Sequence, residues 1–83
     1  MKRYALDGRK NFIGERARKV RESMELSQEQ VAAQMEIMHV VINGNAISLI
    51  EAGERFVSDF EALYLAKVLK VDLMWLLTGE EHS

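Results

Sequence analysis

Five helix-start signals constrain the fold of this chain more than any other feature. Ser27 is followed three residues later by Gln30, and Ser58 by Glu61, and both pairs have the pattern of a capping box. The chain has no proline, which would interrupt helices. Three further residues of helix-capping type stand ahead of apolar segments: Asn11, Asn43 and Asp72. The pattern predicts an all-α fold, a compact bundle of five short helices.

Apolar residues recur at helical spacing after each of these signals. The predicted helices cover about residues 11–24, 28–37, 44–52, 58–69 and 73–77. Gly53 and Gly79 stand where a left-handed residue closes a helix. The apolar segment 37–42 is expected to pack in the core and in the turn after helix two. The buried face of helix four is predicted to contain Phe60, Leu63, Ala66 and Leu69.

The charge of the chain is distributed unevenly. Residues 1–21 carry eight basic and two acidic residues, a net charge of +6, whereas residues 22–83 carry three basic and eleven acidic residues, a net charge of −8. We interpret residues 1–10 as a flexible basic arm ahead of a single domain at residues 11–83. A basic arm followed by a basic first helix is typical of a surface that contacts a polyanion.

Several classes of protein are not expected. The chain has no cysteine and its two histidines, His39 and His82, stand far apart, so we predict no disulfide, no metal site and no cofactor. No combination of nucleophile, base and oxyanion donors indicates an enzyme. No apolar segment reaches the roughly 18 residues of a membrane span, and no signal peptide is visible. We therefore expect a cytoplasmic protein with no membrane partner and no evident small-molecule ligand.

Helix two, the turn after it and helix three form a predicted helix-turn-helix. The major groove of B-DNA admits one α-helix and displays the edges of the bases there. In such a motif the third helix enters the groove, and the N-terminus of the second helix can donate backbone N–H groups to a phosphate.

Four segments carry a resemblance to a known family: 13–16 (IGER), 26–32 (LSQEQVA), 46–55 (AISLIEAGER) and 65–79 (LAKVLKVDLMWLLTG). They resemble the Xre-type, or phage repressor and Cro-like, DNA-binding domains. The resemblance covers about residues 12–81 and implies a five-helix, lambda-repressor-like domain that binds a double-stranded DNA operator, commonly as a homodimer. The connection between helices two and three is about five residues longer than the family's commonest form.

The resemblance also implies which residues meet DNA. Gln28 matches a residue that touches a phosphate or base from the start of helix two, and Arg55 matches a phosphate contact after helix three. Arg21 and Glu51 resemble a buried ion pair that braces helix one against helix three. The predicted DNA-binding residues are Gln28, Asn43, Gly44, Asn45, Ser48, Leu49 and Arg55.

Two of these residues have alternative interpretations. Asn45 can read adenine through its amide, or it can only cap the helix. Leu49 can touch a thymine methyl group, or it can meet a protein partner. In the basic run on helix one, we expect phosphate contact from one or two of Arg16, Arg18, Lys19 and Arg21.

The predicted function is sequence-specific binding of double-stranded DNA by a transcriptional regulator, a repressor. Helix five is apolar throughout residues 73–77, which is more apolar surface than the inside of so short a helix can use, so part of it is expected in a homodimer interface. The alternative is a protein-interaction module on the same fold, antirepressor or antitoxin-like, with weak DNA affinity. The acidic net charge and Gly44 favour this alternative.

Overall fold

A computed structural model describes residues 8–80 and contains five α-helices and no strand within that range. The helices are α1 (Gly14–Ser23), α2 (Gln28–Ile37), α3 (Gly44–Glu51), α4 (Asp59–Leu69) and α5 (Leu73–Thr78). The predicted all-α, five-helix fold is confirmed. Residues 1–7 of the predicted arm and residues 81–83 at the end of the predicted domain lie outside the described range.

The helix starts predicted from the sequence are capped by side chains. Ser27 accepts a hydrogen bond from the backbone N–H of Gln30, and the Gln30 side chain accepts one from the N–H of Ser27, so the capping box is complete. Ser58 and Glu61 form the second capping box in the same way. Two more caps of the predicted type start α3 and α5: Asn43 and Asp72.

Asn11 begins α1 in a different way from the one predicted. The helix starts at Gly14 with Ile13 in the cap position, and the Asn11 Oδ1 accepts the N–H of Gly14 at 2.8 Å. The Asn11 amide donates to the carbonyl oxygens of Ile50 at 3.1 Å and Arg55 at 2.9 Å. Asn11 therefore joins the start of α1 to the end of α3.

The core draws apolar side chains from every helix, and α4 contributes the longest stripe. Its buried residues are Ala62, Leu65, Ala66, Val68 and Leu69. The prediction is confirmed for Ala66 and Leu69 but is wrong for Phe60 and Leu63, which are 54% and 36% exposed. Helix α4 carries apolar residues on more than one side, and the spacing 62, 65, 66, 69 is the one that faces the other helices.

The segment 37–42 is only partly buried. Val40 and Ile42 lie in the core, as expected. The expectation of core packing is wrong for Ile37, Met38 and Val41, which are exposed. His39 has a left-handed backbone with φ of 69°, which ends α2, and the extended chain after it alternates between inward and outward positions. Val41 of this extended chain is exposed, as are Ile37 and Met38 at the end of α2, and we call these three residues the apolar turn patch.

Helix α5 is held at the start of α1. The Arg16 guanidinium donates to the carbonyl oxygens of Leu76 at 2.9 Å and Leu77 at 3.0 Å, and so binds the C-terminal end of α5. Leu76 is fully buried, whereas Met74 is 45% exposed. Three other apolar residues of α5 are partly buried: Leu73, Trp75 and Leu77.

Candidate nucleic-acid interface

A buried polar network fixes α3 against α1 and α2. Arg21 and Glu51 form the ion pair expected from the resemblance, with Nε to Oε2 at 2.6 Å and Nη2 to Oε1 at 3.0 Å. Their side chains are 12% and 5% exposed. The hydrogen-bonded Glu51 carboxylate raises the pKa of Arg21 above its usual value, so the guanidinium stays charged. This network sets the position of α3 relative to the helix before it.

Gln28 belongs to the same network. Its amide nitrogen donates to the Glu51 Oε1 at 3.0 Å, from the first residue of α2. The resemblance predicted a DNA contact for this side chain, and the structure gives its amide nitrogen a partner inside the protein. Two kinds of group remain available to DNA here. They are the Gln28 amide oxygen and the backbone N–H groups at the start of α2.

The outward side of α3 carries the predicted base-contacting residues. Ile47 and Ile50 face the core and are at most 2% exposed. Asn43 caps the helix by accepting the N–H of Ala46 at 2.8 Å, so Asn45 is not the residue that caps α3. Asn45 is exposed with its amide on the outside of the helix. Three more predicted residues are half-buried on this helix: Gly44, Ser48 and Leu49.

Glu29 lies against the start of α3, a contact that no sequence motif indicates. A Cβ atom added to Gly44 would lie 2.8 Å from the Glu29 Oε2 and 3.0 Å from its Cδ. The carboxyl group therefore covers the first residue of α3. No local signal could have revealed this contact, because it joins the first turns of two different helices. None of the ion pairs within residues 8–80 includes Glu29.

A group of cations lies at the other end of α3, and we call Arg9, Lys10 and Arg55 the cationic turn patch. The backbone N–H of Lys10 donates to the carbonyl of Gly53 at 2.8 Å, and the Lys10 Nζ lies 5.6 Å from the centre of the Phe56 ring. The Arg9 side chain packs beside Gly53, where an added Cβ would lie 3.0 Å from its Cγ. The segment before α1 thus places two cationic side chains at the turn after α3, of which Arg9 is also paired with Glu15 at 3.6 Å.

Arg55 shares its guanidinium with Glu61. The Nη1 and Nη2 atoms donate to the two carboxylate oxygens at 3.0 Å and 3.2 Å. This pair holds the pKa of Glu61 below its ordinary value, and the backbone N–H of Ser58 acts in the same direction. The Arg55 side chain is 32% exposed, so a phosphate can approach it while it remains paired.

The basic run on α1 divides into two kinds of residue. Arg16 binds the end of α5 and Arg21 is paired with Glu51, so both have partners inside the protein. Arg18 forms a surface pair with Glu22 at 3.1 Å and its side chain is 61% exposed. Lys19 is exposed as well. Arg18 and Lys19 are therefore the members of the run that remain accessible to a phosphate.

The predicted helix-turn-helix carries no lysine or arginine. Residues 22–54 contain six acidic residues and no lysine or arginine. Cations that can meet a phosphate therefore come from the segment before residue 22 and from Arg55 onward. The outer side of α3 is therefore neutral to acidic, and the cationic turn patch lies separately beside the end of this helix.

The chain matches no protein-family model, no curated protein and no solved structure. Across residues 8–80, no helix is long and apolar enough to cross a membrane. In the same part of the chain, no group of three or more His, Cys, Asp or Glu side chains is placed to hold a metal ion.

Proposed function

We propose that the protein is a transcriptional regulator of the Xre type that binds double-stranded DNA sequence-specifically and acts in the cytoplasm as a repressor. The observation that carries this proposal is the placement of α3. The Asn45 amide is exposed on the outer side of this helix and free of the capping role, Ser48 is half-buried, and the cationic turn patch lies beside the C-terminal end of the helix. A reading helix with adjacent cations is what recognition in the major groove requires.

The two parts of this surface have different tasks. In the major groove, the Asn45 amide can donate to the N7 atom of adenine and accept from its N6 amino group, and Leu49 can contact a thymine methyl group. Lys10 and Arg55 contact phosphates, which fixes the orientation of α3 without reading sequence. The buried pair Arg21–Glu51 keeps α3 rigid, so the side chains that read bases are held in place before DNA arrives.

Two copies on one operator complete the proposal. A single recognition helix reads only a few base pairs, whereas a two-fold dimer doubles the site and places two helices about 34 Å apart along one face of the duplex. The exposed Met74 and the half-buried Trp75 on α5 supply an apolar surface for the second copy. Sedimentation of the saturated complex is expected to give two chains for each duplex.

One specific observation favours the second candidate, a protein-interaction module of antirepressor or antitoxin-like type. The apolar turn patch exposes Ile37 at 77% and Val41 at 85%, on a segment that has no lysine or arginine. Such a surface suits a protein partner better than a phosphate backbone.

Binding of duplex DNA over a range of salt concentrations separates the two candidates. Each phosphate contact contributes about −0.9 to the slope of log K against log salt. Lys10→Ala is expected to weaken binding to all sequences alike and to reduce the slope by about 1. Lys70→Ala is the matched control, because Lys70 is an exposed lysine outside the cationic turn patch.

The opposite results would overturn the proposal. If the parent chain shows no duplex binding at low salt, DNA recognition is excluded and the protein-interaction module becomes the better account. If the parent binds but Lys10→Ala and Lys70→Ala change the slope equally, the cationic turn patch is not the phosphate-contacting surface.

A further inference from the structure

The Glu29 carboxylate occupies a position at the start of α3 that only glycine permits. It lies over Gly44, where any Cβ atom would come within 2.8 Å of the carboxylate oxygen Oε2. The next residue along α3 is the exposed Asn45. A carboxylate and an amide, which differ in hydrogen-bonding character, therefore both lie at the first turn of α3, on the surface proposed to face the bases.

The chemistry of these two groups differs in a way that base edges can distinguish. An ionised carboxylate only accepts hydrogen bonds, whereas an amide donates and accepts. In the major groove, cytosine presents its N4 amino group as a donor, and adenine presents a donor beside an acceptor. A carboxylate suits the first pattern and an amide the second.

The negative charge of Glu29 strengthens the discrimination between bases. Glu29 takes part in none of the ion pairs within residues 8–80, and the Arg21 guanidinium, which is paired with Glu51, interacts with it only at longer range. The Glu29 carboxylate therefore brings a negative charge to the proposed reading surface. Near a duplex such a charge is repelled by the phosphates, and a hydrogen-bond donor on the correct base offsets part of that cost. A wrong base leaves the carboxylate desolvated without a partner.

We propose that Glu29 is a specificity-determining residue of the DNA-reading surface, and that this inference rests on the proposed function. Its carboxylate accepts a hydrogen bond from the N4 amino group of a cytosine next to the base that Asn45 reads. Gly44 is the positioning residue, because the absence of a side chain there lets the carboxylate lie over the start of α3.

Glu29 also has a structural role, and the test must distinguish the effect of that role from base selection. It stands in the first turn of α2, where an acidic side chain interacts favourably with the helix dipole. That role affects the stability of the fold and is the same for every DNA sequence. The identity of the selected base is a readout that the structural role does not change.

The experiment is the selection of bound sequences from random duplex DNA by the parent chain, Glu29→Gln and Glu36→Gln. The parent is expected to select cytosine at one position, with a preference of about tenfold over other bases. Glu29→Gln is expected to change that preference to adenine, because an amide replaces the carboxylate. Glu36→Gln makes the same change of charge at an exposed residue near the other end of α2, and is expected to select the parental sequence.

A second variant tests the reach of the side chain without changing its charge. Glu29→Asp is expected to lose the cytosine preference, because it shortens the side chain and withdraws the carboxylate from Gly44. The helical circular dichroism of each variant should equal that of the parent. Undiminished cytosine selection by Glu29→Asp would overturn the inference.

The remaining outcomes separate the inference from the function on which it rests. If the parent selects a sequence and Glu29→Gln selects the same one, the role of Glu29 is refuted while DNA reading by α3 stands. If the parent selects no sequence at all, the proposed function fails and the inference fails with it.

Discussion

Two glycines occupy the first position of a helix, and the structure gives them opposite tolerance to a side chain. At Gly14, an added Cβ would collide with the backbone carbonyl oxygen of Ile50 and lie 3.0 Å from that of Glu51. At Gly44, the obstacle is the end of the flexible Glu29 side chain. Close packing of α1 on α3 therefore depends on Gly14, whereas the fold does not depend on Gly44.

This contrast gives a pair of stability predictions. Gly14→Ala is expected to lower the free energy of unfolding by about 1–3 kcal/mol, because α1 must move away from α3. Gly44→Ala, the matched control, should leave it unchanged or raise it by up to about 1 kcal/mol, since alanine favours the helix. Urea unfolding followed by circular dichroism measures both, and equal effects of the two variants would contradict the proposed packing of Gly14.

The pair between Arg55 and Glu61 predicts a pH dependence of stability. Because the pKa of Glu61 is lowered in the folded protein from its ordinary value of 4.5, its contribution is complete above pH 4.5 and is lost as the pH falls through the folded value. Glu61→Gln keeps a side chain that can complete the capping box but removes the charge. At pH 7 the variant is expected to be less stable by about 1 kcal/mol.

Thermal unfolding at several pH values checks this expectation. The difference between the parent and Glu61→Gln should shrink steadily below pH 4.5, the ordinary pKa of the carboxyl group. A difference that stays constant down to strongly acidic pH would show that the charge of Glu61 does not stabilise the fold.

The C-terminal ends of the helices have a common hydrogen-bonding pattern, but three of them use residue types that are unusual in it. After α2, the N–H of His39 donates to the carbonyl of Glu36, and the N–H of Val40 to that of Met35, which is the Schellman arrangement. Such ends need a left-handed residue, for which glycine is best suited. The left-handed residues at the ends of three helices are not glycine: Glu25, His39 and Lys70.

Replacing one of these residues by glycine should stabilise the protein. Lys70 ends α4 with φ of 60°, so Lys70→Gly is expected to raise the free energy of unfolding by about 0.5–1 kcal/mol. Lys67→Gly is the matched control inside the same helix and should lower it by about 1 kcal/mol. Chemical unfolding measures both, and a loss of stability in Lys70→Gly would show that the left-handed backbone carries no strain.

Local signals explain why the helices could be predicted from the sequence. The bonds that start α2 and α4 join residues three positions apart, so the capping boxes at Ser27 and Ser58 are visible in the chain itself. The faces of the helices were harder to predict. Phe60 and Leu63 have the spacing of a buried stripe, and only the packing of α4 against the other helices shows that a competing stripe is buried.

The candidate site depends on contacts that are distant in the sequence. The resemblance to a family supplied the Arg21–Glu51 pair, 30 residues apart, and the position of the outer face of α3. It did not supply the Glu29–Gly44 contact, which depends on how the long turn returns the chain to the start of α2. Nor did it show that Gln28 would bond to Glu51.

At the scale of the whole molecule, acidic and basic residues are concentrated in different parts of the chain. The acidic segment 22–54 contains the proposed helix-turn-helix, and the lysines and arginines of the chain lie before and after it in the sequence. Lys10 reaches the turn after α3 because its backbone bonds to Gly53. The proposed binding surface is therefore assembled only when the segment before α1 folds onto the rest of the domain.

Asn45 provides the most direct measurement of the central claim, that α3 reads bases in the major groove. The dissociation constants of the parent and Asn45→Ala should be compared on the preferred duplex and on an unrelated duplex of equal length. We expect a loss of about 1–3 kcal/mol on the preferred duplex and almost none on the unrelated one, since the amide contacts a base edge. Equal losses on both duplexes, or no loss on either, would contradict the assignment of α3 as the recognition helix.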